Sequence, residues 1–292
     1  MTMMKTMSKI GLMILAILAV SCGSDDNNNP SGNDPNDPND PNPNTLPKFV
    51  QYEIGPQGTN VQYEYNDQDL LEVWTETYPD FGFEITTLYN DDLNPIVLDY
   101  VDSEQVTDSK GFFYDFQGRV FRYIDDYTDV SLTYSNDSIY FTGMIDSIMD
   151  LSGAMVVDPQ GKVKEFIDQD QYLTFGYDAS GNMTALNRYD PQDQLIEGYA
   201  FNYDSKTNPF YGQFTPLYLT RCIDLFWGFE TVNFTGLSGY VFPYNPNNIT
   251  AVLKDGANIR SYLIAYDNDD YPAVVSEIAS GNSYQYDITY FP

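Results

Sequence analysis

An alternation of tyrosine and β-branched residues, cut again and again by one turn sequence, leaves this chain few folds to choose from. Val61-Gln-Tyr63-Glu-Tyr65, Tyr262-Leu-Ile264-Ala-Tyr266 and Tyr284-Gln-Tyr286-Asp-Ile288-Thr-Tyr290 repeat with a period of two. Side chains on a strand point to opposite faces in turn, so this period gives one buried and one wet face. Tyrosine, 26 residues of the chain, suits such a surface: its ring packs and its hydroxyl is left for water. The turn sequence is apolar-Asp-x-x-Gly, at Tyr114-Asp115-Phe-Gln-Gly118, Val157-Asp158-Pro-Gln-Gly161 and Tyr177-Asp178-Ala-Ser-Gly181. Asp caps the first turn position, and Gly three residues later takes the left-handed conformation that returns the chain. Variants without the Gly stand at Tyr189-Asp190, Tyr203-Asp204 and Tyr266-Asp267. Their spacing is irregular, which points to a meander of hairpins and not to a solenoid. The expected class is all-β, an antiparallel meander forming a curved sheet, barrel-like or half-barrel. Helix signals are weak; only Pro216 to Phe229 reads as a short helix or a crossing loop.

The N-terminus carries a different kind of information. Lys5 and Lys9 precede an apolar run from Ile10 to Val20, followed by Ala19-Val20-Ser21-Cys22. The run fits a signal-peptide core and is too short for a membrane span. The end of the run resembles a lipobox, in which the Cys22 thiol takes a diacylglyceryl group and becomes the mature N-terminus; Ala19 stands where Leu is usual. Acyl chains add roughly 0.8 kcal/mol per buried CH₂, and two or more give stable anchoring. Gly23-Ser24-Asp25-Asp26 resembles the acidic signal that sends Bacteroidetes-type lipoproteins to the outer face of the outer membrane, with the periplasmic face as the alternative. Residues 1–21 are thus expected to be a signal peptide. Residues 22–44, rich in Asp, Asn and Pro, form an extended tether, and residues 45–292 one all-β domain.

Charge and missing residue types exclude whole classes of function. The chain has 43 acidic against 13 basic residues and a net charge of -30, a field that repels nucleic acid and anionic head groups. It has no histidine, which removes Ser-His-Asp and Cys-His catalysis and nearly all catalytic zinc sites. No phosphate-binding or dinucleotide-binding glycine motif is present. With Cys22 acylated, Cys222 has no disulfide partner, and its apolar neighbours make it a small buried hydrophobe.

What chemistry is left is sparse. Asp267, Asp269 and Asp270 offer clustered oxygen ligands for Ca²⁺ on a turn, as do Asp125, Asp126 and Asp129, without the EF-hand pattern. Trp74 and Trp227 are candidates for a platform that stacks sugar rings, against the commoner fate of strand aromatics in a core. Ser138 and Ser147 sit in Asp-Ser-Ile sequences that resemble the acceptor of Bacteroidetes O-glycosylation. No catalytic residue and no obligatory cofactor is indicated.

Tyr177-Asp178-Ala-Ser-Gly181-Asn182-Met183-Thr184 resembles the YD-type hairpin repeat of bacterial surface proteins. Tyr203-Asp204-Ser-Lys206-Thr-Asn208-Pro209-Phe210 and Asn245-Pro-Asn247-Asn248-Ile249-Thr250 are similar to a Bacteroidetes lipoprotein family of unknown function. The resemblance covers roughly residues 160–292 and implies a porin-like antiparallel β-fold. It supplies no catalytic residues. The dense acids argue against lipid-facing walls, so the barrel is expected to stand in water. The functional expectation is a non-catalytic surface lipoprotein that binds a glycan or an envelope protein. The rival is a histidine-free glycoside hydrolase working with two carboxylates.

Overall fold

The computed structural model describes residues 47–145, 148–168, 170–226 and 244–292. By its internal contacts the chain divides into Met1–Pro43 and Asn44–Pro292, and every described residue belongs to the second unit. Cys22, Ser147 and Trp227 lie outside the described residues.

One antiparallel sheet of 18 strands makes up the body. Its first half comprises β1 (Val50–Ile54), β2 (Asn60–Tyr65), β3 (Leu71–Thr77), β4 (Gly82–Tyr89), β5 (Pro95–Asp102), β6 (Thr107–Tyr114), β7 (Val120–Ile124), β8 (Asp129–Ser135) and β9 (Ser138–Ile145). Its second half comprises β10 (Ile148–Val157), β11 (Val163–Ile167), β12 (Tyr172–Tyr177), β13 (Met183–Tyr189), β14 (Leu195–Thr207), β15 (Asn247–Lys254), β16 (Ala257–Tyr266), β17 (Pro272–Ala279) and β18 (Asn282–Tyr290). Each strand bonds to the next in sequence. β1 also pairs with β18, Glu53 opposite Ile288, so the sheet closes into a barrel. An even strand number lets first and last strands meet antiparallel, and closure leaves no edge to pair with another chain.

One rim is built from copies of a single turn. In the connections after β2, β4, β6, β10, β12 and β16, the lead residue is Asn66, Asn90, Asp115, Asp158, Asp178 or Asp267. Its side-chain oxygen accepts the backbone N–H groups two and four residues on. The fourth residue is left-handed in every case, whether Gly118, Gly161 and Gly181 or Asp69, Leu93 and Asp270. Asn can replace Asp because the bond needs only the carbonyl-type oxygen. Asp102 and Asp190 make the same turn on the opposite rim. Tyr203-Asp204 does not turn: β14 runs on, and Asp204 bonds Lys206 N–H and Asn248 instead.

Each of the six turns on the first rim places a bulge at the start of the following strand, and the bulge shifts the inward face by one residue. Buried residues therefore stand three apart at Leu71 and Trp74, Val120 and Tyr123, Val163 and Phe166, and Met183 and Leu186. A tyrosine near the end of the strand paired with the bulged one locks this arrangement. Tyr89, Tyr114, Tyr134, Tyr177, Tyr203 and Tyr290 donate their hydroxyls at 2.6–2.8 Å to the carbonyls of Leu71, Pro95, Val120, Val163, Met183 and Pro272. The hydroxyls expected to face water thus bind backbone, because the bulged carbonyl is left without a ladder partner. On the inner wall Gly153 is obligatory: a Cβ there would lie 2.2 Å from Cζ of the buried Phe141.

A sheet of 18 strands left empty would enclose a wide aqueous lumen. Here the described part of the link between β14 and β15, residues 208–226 and 244–246, packs into the turn-built end. It includes a 3-10 turn, Thr215–Leu217, and the helix α1, Tyr218–Phe226, within the stretch whose sequence suggested a helix or crossing loop. Phe210 packs on Tyr63 of β2 and Phe214 on Trp74 of β3, at ring-centre distances of 5.0 and 6.0 Å. Tyr218 accepts the Val163 N–H at 3.1 Å on the opposite wall. Gln213, buried, accepts the Leu71 N–H at 3.0 Å and donates to the Asp69 carbonyl at 3.3 Å. The two chain segments leading in and out are tied together by asparagines: Asn208 donates to the Asn245 carbonyl, and Asn247 to the Lys206 carbonyl.

Candidate functional site

At the rim away from this filling, the inner wall changes character. The period of two that places Val275 in the core places Glu277 on the same face, and likewise Trp74 and Glu76, Ile288 and Tyr286. Registers then bring separate strands together: Glu53 of β1 lies opposite Val61, which lies opposite Glu76, while Glu277 lies between Tyr262 and Tyr284. The result is an open cavity of about 480 Å³. Glu53, Glu76, Glu277, Arg260, Tyr78 and Tyr286 supply most of its polar chemistry. Its size falls in the range of small-ligand sites.

The carboxylates of this cup differ in what balances them. Glu277, 5% exposed, is held by Arg260 at 2.9 Å and accepts the Tyr286 hydroxyl at 3.3 Å. Glu53, 2% exposed, accepts the Tyr63 hydroxyl at 2.9 Å, and no cation stands beside it among the described residues. Glu76 accepts the Tyr78 hydroxyl at 2.6 Å and likewise has no cation. Burial pushes the Glu53 pKa up to about 7; the Tyr63 hydrogen bond opposes the rise and the neighbouring Glu76 charge adds to it. Burial also raises Glu76. Burial, with the Glu277 charge beside it, pushes the Tyr286 hydroxyl up to about 12, so it stays a donor at neutral pH. Elsewhere on the inner wall Glu197 is compensated twice, held by Arg188 at 3.1 Å and Lys254 at 2.5 Å. The cup thus holds two carboxylates, Glu53 and Glu76, that no cation balances among the described residues.

A second cavity of about 590 Å³ lies at the filled end, among Val120, Tyr134, Ile139, Pro216 and Leu219. Its cations are already engaged: Arg119 with Asp115 at 2.7 Å, and Lys162 with the Tyr244 carbonyl at 3.0 Å.

The residues singled out from sequence fall elsewhere. Trp74 is a core residue, 1% exposed and packed on Phe214, so the stacking surface expected of it is corrected: both ring faces are covered by protein. Asp267 caps its turn and, with Asp269, binds the Lys48 ammonium at 2.7 and 2.5 Å; Asp270 binds Lys206 at 2.7 Å. A lysine thus stands where the sequence offered candidate ligands for Ca²⁺, and among the described residues no group of three His, Cys, Asp or Glu is arranged to hold a metal. Asp125 lies 3.4 Å from Lys110, and Asp129 pairs with Arg122 at 2.7 Å. Ser138 opens β9, half-buried beside Asp137. Cys222 is buried on α1. None of these residues lines the cup.

No protein-family model matches the chain, and no curated protein matches it. Among solved structures it is similar to a porin-like protein from Bacteroides uniformis, with 14% identity over 85% of this chain and 99% of that one, at a TM-score of 0.43. It is also similar to a porin-like protein from Bacteroides vulgatus, with 10% identity over 84% and 99% of the two chains and a TM-score of 0.38. The Tc holotoxin pore of Photorhabdus luminescens gives 14% identity over 78% of this chain and 11% of that one, at 0.23.

Proposed function

We propose that this protein is a lipid-anchored binding module of the outer membrane, displayed at the cell surface, that holds a glycan end in the cup without turning it over. The observation that carries the reading is the cup itself. Carboxylates accept hydroxyl hydrogen bonds, Arg260 donates them, and the tyrosine rings offer flat apolar faces, which together match the two-sided character of a sugar ring. The outer wall fits a barrel standing in water: one outward ladder runs Glu64, Val73, Thr86, Asp99, Ser109, where a lipid-facing wall needs an apolar band. The anchor would be Cys22, with residues 23–44 as the spacer that lifts the barrel off the membrane.

A second reading is favoured by one feature. Glu53, with its pKa raised to about 7 beside Glu76, has the character of the general acid in a two-carboxylate glycosidase. A glycan array on residues 23–292, followed by a reducing-sugar assay on each glycan retained, separates the two. Retention without new reducing ends is the expected result. Release of reducing ends that stops in Glu53→Gln would establish the hydrolase instead, and retention of no glycan would refute both.

A further inference from the structure

Within the sugar-binding reading, on which this step rests, the charge balance of the cup narrows the ligand. We infer that the sugar taken by the cup is an amino sugar whose protonated amine sits against Glu53 and Glu76. Two other glutamates on the inner wall of this end have protein cations: Glu277 has Arg260, and Glu197 has Arg188 and Lys254. Glu53 and Glu76 have only tyrosine hydroxyls, Tyr63 and Tyr78. Glu53 is 2% exposed, lines the cavity, and has one of its oxygens, Oε1, engaged by Tyr63. A carboxylate buried this far is costly unless a positive charge joins it. The place left for that charge is the cavity, where Tyr78 and Tyr286 add ring faces that attract an ammonium group.

The complementary half of the cup has the opposite bias. Arg260, already matched to Glu277, adds no free charge and is a donor for hydroxyl or ring oxygens. An uncharged sugar would satisfy the hydroxyl partners and leave Glu53 and Glu76 unbalanced. An N-acetylated amino sugar would bring bulk in place of the charge. A protonated amine supplies what both acids lack.

Calorimetric titration of residues 23–292 with three probes tests this: the trimer of β-1,4-linked glucosamine, its fully N-acetylated counterpart, and cellotriose. The glucosamine trimer is expected to bind at least ~10-fold more tightly than either of the others, the advantage of one well-placed charge contact. In Glu76→Gln and in Glu53→Gln the preference for the glucosamine trimer over cellotriose should vanish, with circular dichroism confirming the strand spectrum. Equal affinity for all three probes would overturn the amine assignment and leave sugar binding standing. Absence of binding by all three overturns the assignment and the sugar-binding reading together.

Discussion

Glu53 is the residue on which site and stability meet. Its pKa is about 7 in the folded protein against an ordinary value of 4.5, so the folded state holds this proton more tightly than the unfolded one. The stability linked to that proton is complete below pH 4.5 and is lost as pH rises through about 7. At 1.36 kcal/mol per unit, the loss is on the order of 3 kcal/mol. Glu53→Gln should flatten this part of the stability curve and make the protein more resistant to urea than the parent at pH 8. Denaturant midpoints at pH 5 and pH 8 check this; a parent no less stable at the higher pH would contradict it. The signal for Glu53, Glu76 and Glu277 was present in the sequence, in the form of an acid on the apolar parity of a strand, as in Val275-Ser-Glu277. It could not be read alone, because 43 acids are spread along the chain and only the barrel's registers bring these three together.

Among the elements, the repeated turn is the part most legible beforehand and its consequence the least. Asp115, Asp158 and Asp178 announce themselves by their glycines, whereas Asn66 and Asn90 make the same turn with Asp69 and Leu93 at the left-handed position. The bulge that follows breaks the period of two, so Leu71-Glu-Val-Trp74 hides the fact that its two ends share one face. Trp74, a stacking candidate in sequence against the commoner core role, is a core anchor in the fold. The filling element depends on contacts that no local pattern encodes. Gln213 stands 142 residues from the Leu71 N–H it accepts, and it closes the β2–β3 turn from inside. Gln213→Ala leaves that N–H and the Asp69 carbonyl without partners and should cost about 1–3 kcal/mol. Amide exchange at Leu71 should accelerate in step with global unfolding, and an unchanged rate would show that the contact is idle.

At the scale of the whole molecule, closure and filling divide the labour between two ends. The turn-built rim, locked by tyrosine hydroxyls and packed by α1, is where apolar burial is concentrated. The opposite rim, with shorter connections after β3 and β17, retains a water-open cavity and unbalanced acid. The barrel class follows from alternation and turns alone; closure depends on the five residues of β1 meeting β18, a pairing across almost the entire chain that periodicity says nothing about. Under the proposed reading, a net charge of -30 favours a positively charged group over an anionic one as occupant of the cup. The most direct measurement is the titration of the Glu53 side-chain carboxyl by ¹³C NMR, alone and with glucosamine trimer. A midpoint near 7 that falls when the trimer binds is the expected result. A midpoint in the ordinary carboxylate range, unmoved by the trimer, would contradict the cup as the binding site.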